Sequence, residues 1–245
     1  MPEGPSIVIL KEQVSHFVGK KIIECGGNAK INTGILKNKT ILDFKTWGKH
    51  FIICVKGVNL RVHLLMFGSY SLDEQTKPDR SLRLFLKFKK GAIFFYTCSV
   101  KIIEEDLDKL YDWSADVMND KFNVGKARKK LKEKPASMVC DILLDQDIFA
   151  GVGNIIKNEV LYLTRIHPET LVGNIPPRKT TALIKAAREY SFDFLKWKRA
   201  FELKKHWLAY TKKECKRCDL PILKRYCGKT RRRTFYCSNC QEFYD

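Results

Sequence analysis

The sequence predicts an α+β protein of several domains, in which an antiparallel β-sandwich led by a helix precedes a helical domain and a metal-stabilised tail. Three observations predict this order. Short apolar runs separated by turns fill the first half, helical periodicity dominates from about Glu104, and the C-terminal tail is rich in Cys, Lys and Arg. Apolar residues make up 44% of the 245-residue chain, a share that excludes wholesale disorder.

The leading helix is predicted over 6–18, where apolar residues recur every three or four positions and a glycine follows the end. Runs of Ile, Val, Leu and Phe then predict five strands, over 41–45, 50–56, 59–66, 81–88 and 92–97. In the fourth of these, leucines alternate with Arg83 and Lys87, as on a strand with one buried face. An antiparallel sandwich or barrel is therefore expected.

The second half of the chain is predicted to be helical. Apolar periodicity indicates helices over 106–113, 124–132, 136–144, 155–163 and 179–206. The tail that follows has too few apolar side chains for a core of its own and needs a metal ion to fold. We expect three domains, over 1–115, 116–206 and 207–245.

The charge is strongly positive and unevenly distributed. Lys and Arg total 46 against 27 Asp and Glu, a net charge of +19, and +15 of it lies in 121–245. Such an excess favours a polyanionic partner, nucleic acid before membrane, because neutralised phosphates release condensed counterions. The alternative is a lysine-rich surface that interacts only with solvent.

Nothing in the sequence predicts export or membrane insertion. No apolar stretch approaches the roughly 18 residues of a spanning helix, and the N-terminus lacks a leader-like segment. Nine cysteines, of which four form CxxC pairs, favour a metal site over a disulfide framework. We expect a cytoplasmic monomer, associated with the nucleoid if the source is bacterial.

The strongest single motif is the pair of CxxC sequences near the C-terminus, Cys215 with Cys218 and Cys237 with Cys240. Each pair can bind one side of a tetrahedral ion, and the intervening segment is long enough for a β-hairpin. Four thiolates at this spacing predict one structural Zn²⁺ in a closed site. Four free buried cysteines are the alternative. The other cysteines are expected to be small buried hydrophobes: Cys25, Cys54, Cys98, Cys140 and Cys227.

Two further motifs predict phosphate contacts. Arg231-Arg232-Arg233 lies on the predicted metal-bound hairpin, an arrangement that suits phosphate binding. Upstream, Gly151-Val152-Gly153 leads into a predicted helix, so that backbone N–H groups can approach an anion. Asn154 can cap that helix or donate to the anion itself. An ordinary helix–helix turn is the alternative.

The N-terminus, Met1-Pro2-Glu3-Gly4-Pro5, predicts a nucleophile. Removal of Met1 would expose Pro2 as a secondary amine, and an α-amino pKa of about 7.7–8.0 leaves a useful neutral fraction at physiological pH. Glu3 beside it supplies an acid/base carboxylate. With Met1 retained, Pro2 would be an amide nitrogen and catalysis impossible. An ordinary polar N-terminus is the alternative.

Together these motifs resemble the formamidopyrimidine-DNA glycosylase/endonuclease VIII family of base-excision repair enzymes. Residues 2–5 look like the endonuclease VIII branch, and 48–50 are similar to the family's Gly-x-Lys at a strand start. Residues 63–69 resemble its His-Leu-x-Met-x-Gly-Ser loop, 144–155 with 166–168 its helix–two-turn–helix element, and 232–237 its Arg-x-Thr-Phe-Tyr-Cys finger. These matches follow the family's order and span nearly the whole chain.

The resemblance implies a clamp around DNA, with a β-sandwich domain and a helix–two-turn–helix domain that ends in the zinc hairpin. Pro2 would attack C1′ of the damaged nucleotide and form a Schiff base. Glu3 would protonate the sugar ring oxygen, and Lys49 would contact phosphate and steady developing charge. For Lys49, a solvated surface lysine is the alternative.

Three further residues would contact DNA by the same resemblance. Asn154 and Arg232 would hold the phosphates that flank the everted nucleotide. Met66 would fill the gap left in the duplex, with a buried core methionine as the alternative. The implied partner is double-stranded DNA that carries an oxidised base or an abasic site, and the implied cofactor is one structural Zn²⁺.

The implied activity is a DNA glycosylase with apurinic/apyrimidinic lyase activity. Base removal leaves an imine, which acidifies the C2′ proton, so that β-elimination follows. In this family a δ-elimination usually comes next and leaves a one-nucleotide gap.

The sequence departs from the family pattern at three places. Ser6 stands where both branches commonly have Glu. The stretch 96–101 lacks the Arg and Phe that the formamidopyrimidine branch places opposite the lesion, and 190–210 lacks the glycine-containing lid over oxidised purines. The last two differences favour oxidised pyrimidines and formamidopyrimidines over 8-oxoguanine and predict weak opposite-base discrimination.

Two other functions remain open. One is a non-catalytic protein that keeps the clamp and binds damaged DNA, which Ser6 makes conceivable. The other is a zinc-ribbon transcription or ribosome-associated factor, which leaves the N-terminal motif and the glycine turn unexplained. The five histidines are expected in the core or on the surface, since four cysteines complete a zinc site.

Overall fold

A computed structural model describes residues 2–245, and the chain divides into two compact units, Met1–Tyr111 and Asp112–Asp245. Each unit has a hydrophobic core of its own. The predicted α+β class is confirmed. The division into three domains remains a prediction.

The first unit is two four-stranded antiparallel sheets preceded by a helix, as the sequence predicts. Its elements are α1 (Gly4–Val14), β1 (Glu24–Gly26), β2 (Ile41–Trp47), β3 (His50–Val55), β4 (Val58–His63), β5 (Ser69–Leu72), β6 (Leu82–Lys87), β7 (Ala92–Tyr96), β8 (Ser99–Ile103) and α2 (Leu107–Leu110). One sheet has the order β1-β6-β7-β5 and the other β2-β3-β4-β8.

The core of the first unit lies between the two sheets and α1. Leu10 of α1, Phe51 of β3 and Phe95 of β7 are fully buried in one cluster. The Phe51 and Phe95 rings, 5.9 Å apart at their centroids, connect the sheets. Burial alternates along β6 as predicted, since Leu84 and Leu86 face this core.

Several boundaries in this unit differ from the sequence-based prediction. The leading helix begins at Gly4 instead of position 6 and ends at Val14, where a 3₁₀ turn replaces its predicted last residues. The helix predicted over 106–113 ends at Leu110 because Tyr111 is extended and packs its ring 5.0 Å from Trp47. Strands β1 and β5 were not predicted because they are short and contain no buried residue, and β8 was not predicted because only two residues separate it from the end of β7.

The second unit packs helices around a central buried helix and carries a C-terminal hairpin. Its elements are α3 (Val124–Lys132), α4 (Val139–Ile142), α5 (Gln146–Phe149), α6 (Asn154–Thr164), α7 (Pro177–Arg199), β9 (Leu223–Cys227) and β10 (Arg232–Tyr236). Nearly every residue of α6 is buried, since α7 and β10 both pack against it. The predicted hairpin between the cysteine pairs is confirmed.

Two predicted helices of this unit are shorter than expected. The helix over 136–144 is only α4, because the Val139 and Cys140 N–H groups donate to Thr170 and Pro168 instead of to a preceding helical turn. The helix predicted over 179–206 spans Pro177–Arg199 and stops before Phe201, whose φ of 59° is left-handed. A separate 3₁₀ turn follows it.

Candidate functional site

The N-terminal motif forms the start of α1. Glu3 is the N-cap and is fully buried, whereas Pro2 is half-buried. The Glu3 N–H donates to the Ser6 hydroxyl (3.4 Å) and the Ser6 N–H donates to the Glu3 carbonyl (2.8 Å). This reciprocal cap fixes the Glu3 backbone and gives Ser6 a local structural role. Met1, with the question of its removal, lies outside the described residues.

Lys49 lies in the two-residue turn between β2 and β3, not on the strand as the sequence suggested. Trp47 and His50 pair on either side of this turn, so that the hairpin fixes the position of the Lys49 backbone. The Lys49 side chain is half-buried. Its position therefore differs from that of a freely solvated surface lysine.

Two histidines lie beside this turn on paired strands. Their rings are 5.2 Å apart, on His50 and His63. Burial, and then the charge of Arg61, lowers the pKa of His50 to about 3, and burial also lowers the pKa of His63. Both imidazoles are therefore neutral at physiological pH, and Lys49 and Arg61 carry the positive charge here.

An exposed apolar turn follows β4. The strand predicted over 59–66 ends at His63, because the Gly68 N–H donates to the Leu64 carbonyl (2.8 Å) and closes a turn. Within it Met66 is 44% exposed and Phe67 78% exposed, which excludes the core alternative for Met66. Sequence reasoning did not single out Phe67, because a phenylalanine is more often buried than exposed.

The glycine-containing turn leads into α6 as predicted, but Asn154 is not its cap. Gly153 is the N-cap and Asn154 the first helical residue. The Gln146 side chain organises the turn, since it donates to the carbonyls of Leu144 (2.7 Å) and Val152 (3.1 Å) and accepts from an N–H within the turn. Gln146 was not singled out from the sequence.

Polar side chains of α6 attach the hairpin strand β10 to the helix. Asn154 donates from Nδ2 to the Arg233 carbonyl (2.9 Å), while its buried Oδ1 has no hydrogen-bond partner among residues 2–245. Asn158 accepts the Phe235 N–H (2.6 Å), and the buried Lys157 donates to the Thr234 hydroxyl (2.8 Å). Arg232, at the exposed start of β10, is therefore held on the same rigid assembly as Asn154.

Asp141 at α4 holds the turn of the hairpin. Its carboxylate accepts the Lys229 N–H (2.7 Å) and both the N–H (3.1 Å) and hydroxyl (2.9 Å) of Thr230. Gly228 precedes this turn with a φ of 71°, and a Cβ there would lie 2.5 Å from the Asp141 carboxylate. Glycine is thus required on two grounds, backbone conformation and space.

We predict that Asp141→Ala loosens the hairpin turn without unfolding the unit. Three hydrogen bonds to a charged acceptor are lost, each contributing about 1.5–3 kcal/mol when buried and less at this part-exposed site. Amide exchange at 229–231 should therefore accelerate, and its rate is the measurement that checks this prediction. The matched control is Asp147→Ala, an exposed carboxylate on α5 with the same charge change. Equal effects of the two substitutions would contradict a positioning role.

The four predicted cysteines converge. The Sγ atoms of Cys215, Cys218, Cys237 and Cys240 all lie within 4.8 Å of one another, with two contacts of 3.4 and 3.6 Å. Tetrahedral thiolates at Zn–S distances of about 2.3 Å would be about 3.8 Å apart, so this cluster fits a metal ion. The segment before it is fixed by Glu159, whose buried carboxylate accepts three consecutive backbone N–H groups of 208–210 at 2.7–3.0 Å.

The predicted residues fall in both units. Pro2, Glu3, Lys49 and Met66 belong to the first, while Asn154, Arg232 and the cysteine cluster belong to the second. Within the described residues, no helix is long and apolar enough to cross a membrane.

Two protein-family models match the chain. Residues 1–101 match the formamidopyrimidine-DNA glycosylase N-terminal domain, and residues 114–191 match the formamidopyrimidine-DNA glycosylase H2TH domain. The first match contains the N-terminal motif, Lys49 and Met66. The second contains Asn154.

Curated proteins and solved structures agree with these matches. Mouse Endonuclease 8-like 2 is 35% identical, with 98% of this chain and 96% of the relative covered. Xenopus laevis Endonuclease 8-like 3 is 30% identical over 94% of this chain, which spans only 39% of that relative's length. The fold matches that of Lactococcus lactis formamidopyrimidine-DNA glycosylase non-covalently bound to AP-site DNA (TM-score 0.87, 24% identity, 98% and 99% coverage). The chain belongs to the formamidopyrimidine-DNA glycosylase/endonuclease VIII family.

Proposed function

We propose that the chain is a base-excision repair DNA glycosylase with AP lyase activity, which acts on double-stranded DNA that carries an oxidised base or an abasic site. The observation that carries this proposal is the fully buried Glu3 carboxylate directly beside Pro2 at the start of α1. The AP-site DNA bound by the Lactococcus lactis relative supports the substrate class. The protein would act in the cytoplasm, or in the nucleoid if the source is bacterial.

The proposed chemistry uses the Pro2 secondary amine after Met1 is removed. The amine attacks C1′, the base leaves with the electrons of the glycosidic bond, and Glu3 protonates the sugar ring oxygen, so that the ring opens to an iminium ion. Loss of the C2′ proton then expels the 3′ phosphate, and a second elimination expels the 5′ phosphate. Lys49, fixed by its turn, supplies positive charge near a phosphate.

Residues of each unit are proposed to contact DNA. Asn154 and Arg232, attached through the α6–β10 contacts, would bind phosphates that flank the everted nucleotide. The turn with Met66 and Phe67 would insert apolar surface into the duplex and offset part of the unstacking cost of a few kcal/mol. Leu65 in this turn has a φ of 55°, a left-handed conformation that costs about 1–2 kcal/mol and is typical of functional loops.

The four cysteines would hold one Zn²⁺, which fits their thiolate donor set. The ion would have a structural role, because four thiolates leave no open coordination position. It would keep the hairpin folded and thereby place Arg232.

A second candidate is a damaged-DNA-binding protein without catalysis, and Ser6 is the observation that favours it. The reciprocal cap with Glu3 accounts for a serine there, since its hydroxyl accepts the Glu3 N–H. The two functions differ in whether a base is released.

The proposed lesion preference is for oxidised pyrimidines and formamidopyrimidines. We expect excision of thymine glycol to be at least about tenfold faster than excision of 8-oxoguanine in otherwise identical duplexes. Single-turnover base release on both substrates checks this expectation. Faster release of 8-oxoguanine would reject the preference, and release of neither base would favour the binding-only function.

A further inference from the structure

The second unit has a cavity between α3 and the beginning of α7 that takes no part in the proposed repair site. It measures about 380 Å³ and is lined by residues of α3, of the 172–175 turn and of the first turns of α7. The groups proposed to contact DNA in this unit lie on α6 and β10 instead. The cavity therefore needs an explanation of its own.

The floor of the cavity is apolar. Leu131, Val172 and Ile175 are each under 10% exposed and present their remaining surface to it, with Pro135 and Pro177 beside them. A cavity of this size and lining accepts a large aliphatic or aromatic side chain, whose burial removes apolar surface from water and favours binding. A duplex backbone, which presents phosphates and sugars, would leave this floor unfilled.

The rim of the cavity is cationic. Arg128 and Lys132 lie one helical turn apart on α3, and none of the described residues lining the cavity is acidic. By contrast, two other lysines of this segment are neutralised, Lys130 by Asp112 and Lys134 by Asp145. Neither Arg128 nor Lys132 forms an ion pair within residues 2–245. Their positive charge is thus available to a ligand.

The rim is also preorganised. Arg128 donates from a terminal guanidinium nitrogen to the Thr181 hydroxyl (3.0 Å), and that hydroxyl in turn donates to the Pro177 carbonyl (2.9 Å). The guanidinium is therefore held at the cavity edge, so that less conformational entropy is lost when it binds an anion.

A longer groove along α7 adjoins the cavity at Thr181. This groove measures about 700 Å³ and follows one face of α7 as far as Asp193, with Ile184 and the 40% exposed Phe192 among its lining. Its charged residues are of both signs, Lys185 and Arg188 with Glu189 and Asp193, so that the cavity rim alone supplies a net positive charge. From Thr181 to Asp193 the helix rises about 18 Å, which exceeds the length of most small ligands. The groove has the dimensions of a peptide site.

We propose that this groove docks an acidic segment of a partner protein, with one large apolar side chain in the cavity and flanking carboxylates on Arg128 and Lys132. The uncompensated positive charge on the cavity rim favours acidic residues in the partner, and the apolar cavity floor favours the large apolar side chain between them. Peptide recognition by an apolar groove with charged edges is a common interaction mode.

The test uses fluorescence polarisation of a labelled peptide of about 12 residues, long enough to span the groove, with one Phe flanked by Asp and Glu. We expect a Kd near 10 µM and at least tenfold weaker binding, about 1.4 kcal/mol, when Ser replaces Phe. Two results would overturn the proposal: equal affinity for the Ser peptide and the Phe peptide, or no binding of the Phe peptide at 1 mM.

Matched charge reversals locate the site. The double variant Arg128→Glu, Lys132→Glu should bind the Phe peptide at least about tenfold more weakly than the wild type. The control is Lys126→Glu with Lys129→Glu, two exposed lysines of α3 outside the cavity lining, and it should weaken binding by less than about twofold. Equal losses in both variants would mean general charge attraction and reject the docking site.

Competition separates the other occupants. Abasic duplex should not displace the peptide. The affinity of the protein for abasic duplex should be the same in the Arg128→Glu, Lys132→Glu variant as in the Lys126→Glu, Lys129→Glu control. Displacement of the peptide by duplex would assign the groove to DNA. If the protein self-associates and the Arg128→Glu, Lys132→Glu variant does not, the groove would be assigned to a second copy of the chain. Either result would reject a protein partner while leaving the proposed repair activity standing.

Discussion

Glu3→Gln is expected to stop base removal while largely sparing cleavage at a preformed abasic site. An amide cannot deliver a proton to the sugar ring oxygen, and positioned acid–base groups typically contribute 10²–10⁴-fold, about 3–5 kcal/mol. An abasic sugar already equilibrates with its open aldehyde, so that imine formation at Pro2 depends less on this carboxylate. The substitution keeps the shape of a fully buried side chain, and the backbone groups that bond Ser6 remain.

The measurement is single-turnover release of dihydrouracil alongside incision of an abasic duplex by the same preparation. Glu12→Gln is the matched control, because Glu12 is an exposed carboxylate on the same helix. It should leave both rates within about twofold of the wild type. Normal base release by Glu3→Gln would remove Glu3 from the catalytic mechanism.

Removal of the metal ion is expected to weaken DNA binding strongly. The cluster that holds the hairpin base has few buried apolar residues, and two of them, Cys215 and Cys237, are themselves predicted ligands. A structural zinc ion supplies on the order of 10 kcal/mol of folding free energy in small zinc domains, so this region cannot compensate for its loss. Without the hairpin Arg232 has no fixed position, and we expect abasic-duplex affinity to fall by about a hundredfold, about 2.7 kcal/mol.

Two cysteine variants separate ligation from packing. Cys237→Ser should lose the metal ion, measured by elemental analysis, together with DNA binding. Cys227→Ser alters a buried cysteine of the same hairpin that lies outside the cluster, and it should retain one metal ion per chain. Full metal content and DNA binding in Cys237→Ser would show that the four cysteines are not a ligand set.

Periodicity predicted those elements whose burial dominates their local conformation. Buried and half-buried residues alternate along β6, and nearly every residue of α6 is buried. Both elements form close to where the apolar residues of the sequence predict them. Elements set by tertiary contacts were misplaced. The N–H groups at the start of α4 donate to carbonyls of the 168–170 segment, which no local pattern encodes.

Residues of the candidate site could be predicted from the sequence where their chemistry requires particular residue types at a fixed spacing along the chain. The four cysteines are the clearest case, because metal ligation needs all of them and tolerates few alternatives. Positioning residues were missed, as Asp141 and Gln146 show. They act through hydrogen bonds to backbone groups, and such a role has no signature in residue type or spacing.

Borohydride trapping tests most directly whether Pro2 forms an imine with damaged DNA. The purified protein is incubated with a duplex carrying one 5,6-dihydrouracil in the presence of borohydride, which reduces an iminium to a stable amine. We predict a covalent adduct that peptide mapping assigns to an N-terminal proline, which establishes Met1 removal, base excision and the imine together. Binding of the same duplex without an adduct, or an adduct on a lysine, would contradict imine formation at Pro2.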